Sequence, residues 1–146
     1  MLFDKVFNKT SVPLLNKVVA FTEKRHEVLA HNIANQNTPH YRSRDLDVAA
    51  FNKQLSRAVE QRSRPGGRTR FEFGNSRNVG SSADGFLVTR SIEDPDPGLL
   101  KHNRNNVDAA REQAELARNT IMHNTAVELM RKQFDMLRTA ISERVR

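Results

Sequence analysis

The chain has 146 residues, enough for one domain, and its composition already excludes several kinds of protein. The apolar fraction is 37%, low for a compact globule, while charged residues make up 28% and there is no Trp. This balance favours elongated helices, or a subunit completed by its neighbours, over a thick hydrophobic core. The absence of cysteine excludes disulfides and thiolate metal sites.

The formal net charge of +7 and the pI of about 10.4 suggest an anionic partner: nucleic acid, a membrane surface or an acidic protein. No apolar run approaches the ~18 residues of a membrane span. The first 15 residues lack the basic start, long apolar run and small-residue cleavage site of a signal peptide. We therefore expect a cytoplasmic protein, or one exported by a route that does not cleave a signal.

The first predicted helix runs from Val12 to Asn35, with Ser11 as its N-cap and Pro13 in its first turn. Its apolar positions follow a spacing of 4-3-4-3-4, which is typical of a heptad seam with two polar members. The row is Leu15, Val19, Thr22, His26, Leu29 and Ile33.

A shorter helix is predicted from Asp47, a good N-cap, to Gln61. Val48, Phe51, Leu55 and Val59 share one face, so this satellite helix packs on one side only.

Residues 62–106 contain all six glycines and three of the five prolines. Two short alternating runs, Thr69–Phe73 and Phe86–Arg90, predict a hairpin with a long connection. The chain thus divides into a helical segment 1–61, an irregular middle 62–106 and a helical segment 107–146.

The last predicted helix runs from about Val107 to Arg144, with Asn105 or Asn106 as its cap. Its spacing of 4-3-4-3-4-3-4 gives nearly four heptads without a break. The row is Leu116, Thr120, His123, Val127, Met130, Phe134, Leu137 and Ile141.

Two terminal seams predict a mainly α fold, in which the long first and last helices pair as a coiled-coil-like core and carry the satellite helix and a small β-hairpin between them. Some apolar residues lie off the seams and need other partners, either the satellite helix or neighbouring copies. They are Leu14, Val18, Val28, Met122, Leu129 and Met136. If they contact neighbouring copies, the chain is a subunit that forms bundles or polymers.

No catalytic or metal site is indicated. The five histidines lack the i,i+4 spacing of two ligands on one helix face, although His26 and His123 fall on the two seams and can face each other. No convergent set of nucleophile and base is present, and helix capping explains the paired Asp45 and Asp47 better than acid–base chemistry. We expect no enzyme, no metal, no cofactor and no small-molecule substrate.

A basic cluster beside two phenylalanines is the best nucleic-acid feature, although no DNA- or RNA-binding signature accompanies it. The cluster is Arg57, Arg62, Arg64, Arg68 and Arg70. A small basic nucleic-acid-binding protein is therefore one alternative reading, and a solvated basic loop is the other.

The turn after the first helix carries the most specific signal. Its skeleton N-x-A-N-x-x-T-P-x-Y resembles the bacterial flagellar rod and hook family, and the following Arg44–Asp47 resembles the B-type, proximal rod branch. The C-terminal stretches Asn105–Asp108 and Met130–Ile141 are similar to that family's last helix. The matching assembly-motif residues are Asn32, Ala34, Asn35, Thr38, Pro39, Tyr41, Asp45 and Asp47.

The resemblance implies a structural subunit of the periplasmic basal-body rod, exported without a cleaved signal peptide, that transmits torque and extends the export channel. Implied partners are other rod subunits, the adaptor at the rod base, and the membrane ring or export gate, with no nucleic acid. A coiled-coil adaptor unrelated to flagella is a further alternative. His40 and Arg104 stand where the family usually has glycine.

The chemistry of this turn suits a contact with a neighbouring subunit. Asn35 is expected at the helix C-cap in the left-handed region, and Thr38 before Pro39 is pushed towards an extended conformation. Pro39 cannot continue the helix. Tyr41 offers an apolar ring with a polar end, which is suited to an interface.

Overall fold

A computed structural model describes residues 10–63, 73–82, 85–94 and 99–143, and it confirms the mainly helical architecture. The helices are α1 (Val12–Ala34), α2 (Val48–Ser63) and α3 (Ala109–Glu143). The strands are β1 (Arg44–Leu46), β2 (Val79–Ser81), β3 (Leu87–Thr89) and β4 (Ser91–Glu93).

The two long helices pack against each other antiparallel. Asn32, near the end of α1, contacts Glu112 in the first turn of α3, while Thr22 contacts Asn119 and His123 further along. At ~1.5 Å per residue, α1 spans about 34 Å and α3 about 52 Å. The last turns of α3 therefore extend past Val12, the first residue of α1.

The seam residues differ in how deeply they are buried. Leu29 is buried and most of the others are half-buried, including Leu15, Val19, Ile33, Leu116, Val127, Met130 and Leu137. Phe134 and Ile141 belong to the same row but are 43% and 54% exposed. Both lie on the part of α3 that extends past Val12.

The apolar core lies on another side of α1, against α2 and the hairpin. The rings of Phe21 and Phe51 stack with centroids 3.9 Å apart, and Phe73 packs on Phe51 at 5.6 Å. Leu46 and Val79 complete the buried cluster. Val18 and Val28, two of the residues off the seam, pack against this core, whereas Leu129 and Met136 are exposed.

The satellite helix buries a slightly different face from the predicted one. Phe51, Gln54 and Ala58 are buried, but Val59 is 43% exposed. Val59 comes eight residues after Phe51, which turns its side chain about 80° round the helix from the core.

The hairpin forms, and its first described strand is Val79–Ser81. β2 pairs antiparallel with β3 in the register Val79↔Thr89, Gly80↔Val88 and Ser81↔Leu87. Of the predicted strand, 69–72 lie outside the described residues, and Phe73 is buried without strand structure. Phe73 thus contributes to the core, and Val79–Ser81 pairs with β3.

A second two-stranded sheet joins the N-terminal segment to the middle one. β1 pairs antiparallel with β4, with Asp45 opposite Ile92. The ladder is prolonged by the amide of Asp94, which donates to the carbonyl oxygen of Ser43 at 3.0 Å. Nothing in the spacing of these residues predicts this pairing.

Two predicted caps need correction. Helix α3 starts at Ala109 and is capped by Asp108, whose Oδ1 accepts the amide of Ala110 at 3.0 Å, because Asn105 and Asn106 are engaged elsewhere. Ser11 precedes α1 but its side chain makes no capping bond; Thr10 Oγ1 accepts the amide of Val12 at 3.4 Å. Asp47 caps α2 as predicted, accepting the amide of Ala50 at 2.9 Å.

Among the described residues, the helices are too polar or too short to cross a bilayer.

Candidate functional site

The turn that resembles the family motif does not stand free in solution. Residues 32–44 pack against residues 103–112, so that segments about 70 positions apart in sequence form one cluster of hydrogen bonds, here called the polar junction. It joins the end of α1 to the start of α3.

Asn32 is the centre of the polar junction. It is 1% exposed, and its Nδ2 donates to the carbonyl oxygen of Arg44 at 2.7 Å and to Oε2 of Glu112 at 2.9 Å. Its Oδ1 accepts from the hydroxyl of Tyr41 and from the amide of Arg44, each at 3.1 Å. All four hydrogen-bonding positions of the side chain are filled, which is what burial of an amide requires.

Asn105 ties the end of α1 to the loop before α3. Its Nδ2 donates to the carbonyl oxygens of Asn35 at 2.9 Å and Thr38 at 2.8 Å, while its Oδ1 accepts the amide of Val107 at 2.7 Å. Carbonyl groups at a helix end have no partner inside the helix, so this side chain takes the place of water. Asn105 is fully buried.

The C-cap geometry corrects one expectation. Asn35 does cap α1, but its φ of −99° lies outside the left-handed region, because its amide bonds back to His31 and Asn32 and its side chain donates to His31 at 2.8 Å. The reversal is completed by Thr38, whose hydroxyl donates to Oδ1 of Asn35 at 3.1 Å.

Two non-glycine residues in the described part of the chain have a left-handed backbone, and both stand where the family resemblance implies glycine. His40 and Arg104 both have a φ of 61°, a conformation that strains any residue with a Cβ atom. The amide of His40 donates to the carbonyl oxygen of Asn103 at 3.1 Å, and the amide of Arg104 donates to Lys101 at 2.8 Å. The bond of His40 therefore joins the two loops of the junction, and the bond of Arg104 closes a turn within the loop before α3.

A further bond pins β1 to the same loop. Oδ1 of Asn106 accepts the amide of Ser43 at 2.7 Å, and both residues are buried. The loop before α3 thus contacts three parts of the turn. Asn103 contacts His40, Asn105 contacts the end of α1, and Asn106 contacts Ser43.

An ion-pair group lies beside the polar junction. The guanidinium of Arg25 binds Asp45 with two bonds of 2.9 and 2.6 Å and reaches Glu115 at 3.1 Å. Burial would lower the pKa of Arg25, but the hydrogen bonds and charges of Asp45 and Glu115 outweigh it and raise that pKa. Arg25 therefore links three elements, α1, β1 and α3, and the capping role expected for Asp45 is wrong.

Burial changes the titration of two junction residues. It raises the pKa of Glu112, although the bond from Asn32 opposes this, and the nearby Asp94 and Asp45 raise it further. It also raises the pKa of Tyr41, against the opposing charge of Arg44. In both groups burial disfavours the charged form.

Next to the junction is an open cleft of about 470 Å³ whose lining includes Arg25, Asp45, Asp94, Arg111 and Glu112. Its carboxylates are held by hydrogen bonds and ion pairs to the arginines and amides around them. In the described part of the chain, no three His, Asp or Glu side chains converge to hold a metal ion.

The other residues of the predicted site have exposed positions. Ala34, Thr38 and Pro39 form the outer surface of the turn, whereas Tyr41 is half-buried against Asn32. Of the basic cluster, Arg57 is exposed on α2, while Arg64, Arg68 and Arg70 lie outside the described residues.

Several residues of the site are missed by the apolar pattern. Arg25, Glu112, Glu115 and Asn119 are polar residues in the helix pair, so a search for apolar seams passes over them. A weak signal exists: Glu112, Asn119 and the buried Ala126 recur every seven residues, as do Val18, Arg25 and Asn32. Heptad spacing of polar and small residues indicates the buried face as well as apolar spacing does.

Comparison with known proteins supplies named relatives. The chain is 34% identical over 125 residues to the flagellar basal body rod protein FlgB of Cereibacter sphaeroides, covering 86% of this chain and 88% of the relative. It is 31% identical over 145 residues to FlgB of Aeromonas hydrophila, covering 95% and 94%, and 27% identical to FlgB of Aquifex aeolicus, covering 91% and 94%. No family model matches the chain.

Proposed function

This chain belongs to the FlgB family of flagellar basal body rod proteins, and from that premise we propose that its terminal helices assemble with those of neighbouring subunits to transmit torque and extend the export channel. As a member of the family it is a structural subunit of the flagellar basal-body rod. The proposal concerns how the parts of the fold serve that role.

The observation that carries the proposal is the polar junction. A subunit that transmits torque must resist rotation of one helix against the other. Buried hydrogen bonds with fixed directions do this better than apolar contacts, which can slide. Asn32 and Asn105 supply such bonds between α1 and α3 at one end of the helix pair.

The opposite end of the helix pair supports the assembly role. There α3 exposes Met136 and Ile141, although apolar side chains gain free energy when they leave water. Exposed apolar residues on the part of α3 that extends past Val12 are suited to a contact with another subunit. The outer surface of the turn, with Thr38 and Pro39, is the second proposed contact.

The proposed partners are other rod subunits, the adaptor at the rod base, and the membrane ring or export gate. The proposed location is the periplasmic rod, reached through the flagellar export apparatus without a cleaved signal peptide. We propose a purely structural role, with no catalytic step and no cofactor.

The test is complementation of a strain that lacks the gene. The wild-type chain should restore swimming and co-purify with basal bodies. Ile141→Asp should leave the far-UV circular dichroism and the unfolding curve of the purified chain unchanged but abolish swimming, because Ile141 is exposed in the isolated subunit. Ser142→Asp, one residue further along, is the matched control and should swim.

Full motility of the deletion strain, or absence of the wild-type chain from basal bodies, would remove the proposal. Normal swimming by the Ile141→Asp strain would contradict only the proposed assembly role of the far end of α3.

A further inference from the structure

A polar groove of about 320 Å³ lies midway along the helix pair, at a level where a heptad seam would place apolar residues. The polar members of both predicted seams meet here, because the antiparallel packing places Thr22 of α1 beside Asn119 and His123 of α3. The lining residues are Thr22, Glu23, His26, Asn119, Thr120 and His123.

One lining residue has a buried atom without a partner. Asn119 is 1% exposed, and its Nδ2 donates to the carbonyl oxygen of Thr22 at 2.8 Å. Its Oδ1 is buried and accepts no hydrogen bond. Rotating the amide by 180° would set an oxygen against the Thr22 carbonyl, so the bond to Thr22 fixes the orientation and leaves an acceptor unsatisfied.

His123 adds a second acceptor. The hydroxyl hydrogen of Thr22 is directed to the carbonyl oxygens of Val18 and Val19, which lie 3.0 and 2.9 Å away. Oγ1 of Thr22 then accepts from Nδ1 of His123 across a distance of 3.0 Å. In the neutral ring this places the proton on Nδ1, so Nε2 carries a lone pair.

The groove therefore offers acceptors and negative charge in one place. Oδ1 of Asn119, Nε2 of His123 and the exposed carboxylate of Glu23 all lack donors within the described part of the chain. A guanidinium group matches this arrangement, because it carries five donors in a planar fork and no acceptor. The two histidines and Glu23 do not converge as a metal site.

We propose that this groove receives the guanidinium of an arginine from a second copy of this chain. The chain carries 24 Lys and Arg against 17 Asp and Glu, so closely packed copies must find partners for surplus cations. Arg131 and Arg138 are exposed on α3, one heptad apart, and neither forms an ion pair in the described structure. The choice of a second copy as partner rests on the proposed rod function.

Cysteine cross-linking tests the contact directly, because the natural chain has no cysteine. In a Thr120→Cys, Asp135→Cys chain both arginines are kept, and the two thiols lie on one helix about 22 Å apart, too far for a disulfide within one chain. Asp135 is exposed on the same face of α3 as Arg131 and Arg138, so oxidation of basal bodies carrying this variant should give covalent dimers. Thr120→Cys with Lys53→Cys, an exposed position on α2, is the control and should stay monomeric.

The acceptor chemistry is tested in the cross-linking background that gives dimers. Asn119→Leu fills the site without an acceptor and should lower the dimer yield about tenfold, as should Glu23→Arg, since each removes part of a complementary pair. Mixing a Glu23→Arg chain with an Arg131→Glu, Arg138→Glu chain should restore the dimer yield. Circular dichroism of each variant checks that the helices are intact.

Absence of dimers from the Thr120→Cys, Asp135→Cys chain, or an equal yield from the Lys53→Cys control, would overturn the groove proposal. So would a full yield from a folded Asn119→Leu chain. None of these results contradicts the proposed rod function if the wild-type chain restores swimming. Failure of the rod function would be seen instead as absence of the chain from basal bodies. The same oxidation of the purified chain in solution then tests the groove independently.

Discussion

The two ends of the helix pair are built in opposite ways. At the polar junction, the amides of Asn32 and Asn105 are buried and all their bonds are made within the chain. At the other end, Met136 and Ile141 are apolar and exposed. A folded subunit normally has the reverse pattern, with apolar residues inside and amides outside. The polar junction therefore meets its hydrogen-bonding needs within the chain, whereas the far end of α3 leaves apolar side chains in contact with water.

Removing the centre of the polar junction should cause the largest loss of stability. Asn32→Ala should lower the free energy of unfolding by about 3 kcal/mol, because Glu112 and the backbone of Arg44 lose their partners while buried. Urea unfolding followed by circular dichroism measures the change. Asn37→Ala, in the exposed turn, should stay within about 0.5 kcal/mol of the wild type.

Breaking the ion-pair group beside the junction should cause the second largest loss of stability. Arg25→Met leaves Asp45 and Glu115 without their shared cation, and we expect a loss of about 2–3 kcal/mol in urea unfolding, since the two carboxylates still reach some water. Arg118→Met removes the exposed pair with the same Glu115 and should cost at most about 0.5 kcal/mol. Equal losses would show that burial does not distinguish the two arginines.

The left-handed turn offers a gain of stability. His40→Gly should raise the free energy of unfolding by about 0.5 kcal/mol, because relief of strain of ~1 kcal/mol at a φ of 61° is partly offset by the greater freedom of glycine in the unfolded chain. Arg42→Gly, at a residue without positive φ, should lower it by a similar amount. A destabilised His40→Gly chain would mean that the imidazole makes contacts worth more than the strain.

The smallest expected effect is on the pH dependence of stability. Because burial raises the pKa of Glu112 in the folded chain, the folded state binds this proton more tightly than the unfolded state. The contribution to stability is full below the unfolded pKa and is lost as the pH rises through the higher folded pKa. Glu112→Gln keeps an acceptor for Asn32 without the charge, so it should be more stable than the wild type at pH 8.

The advantage of Glu112→Gln should shrink as the pH falls towards 4.5, the ordinary value for the carboxyl. Taking the difference between the two chains at each pH cancels the titration of the other carboxylates. A constant difference from pH 8 to pH 4.5 would contradict the raised pKa.

Periodicity predicted the helices well, because it depends only on side chains that must leave water. The seams of α1 and α3 and the cap at Asp47 follow from residue spacing and local hydrogen bonding. The polar junction could not be predicted in detail, because Asn32 and Asn105 are 73 positions apart and each has many local bonds open to it. The turn was recognisable as a motif, but the residues that hold it were not.

The helical class, the long terminal helices and the family resemblance all follow from residue spacing and local motifs. Only the tertiary structure decided that Asp45 binds Arg25, that Asn105 closes the end of α1, and that Phe134 and Ile141 extend past the first residue of α1. The physical reason is the range of the interactions. Helix formation and capping are settled within a few residues, whereas a buried amide or charge finds its partner only after the helices have packed.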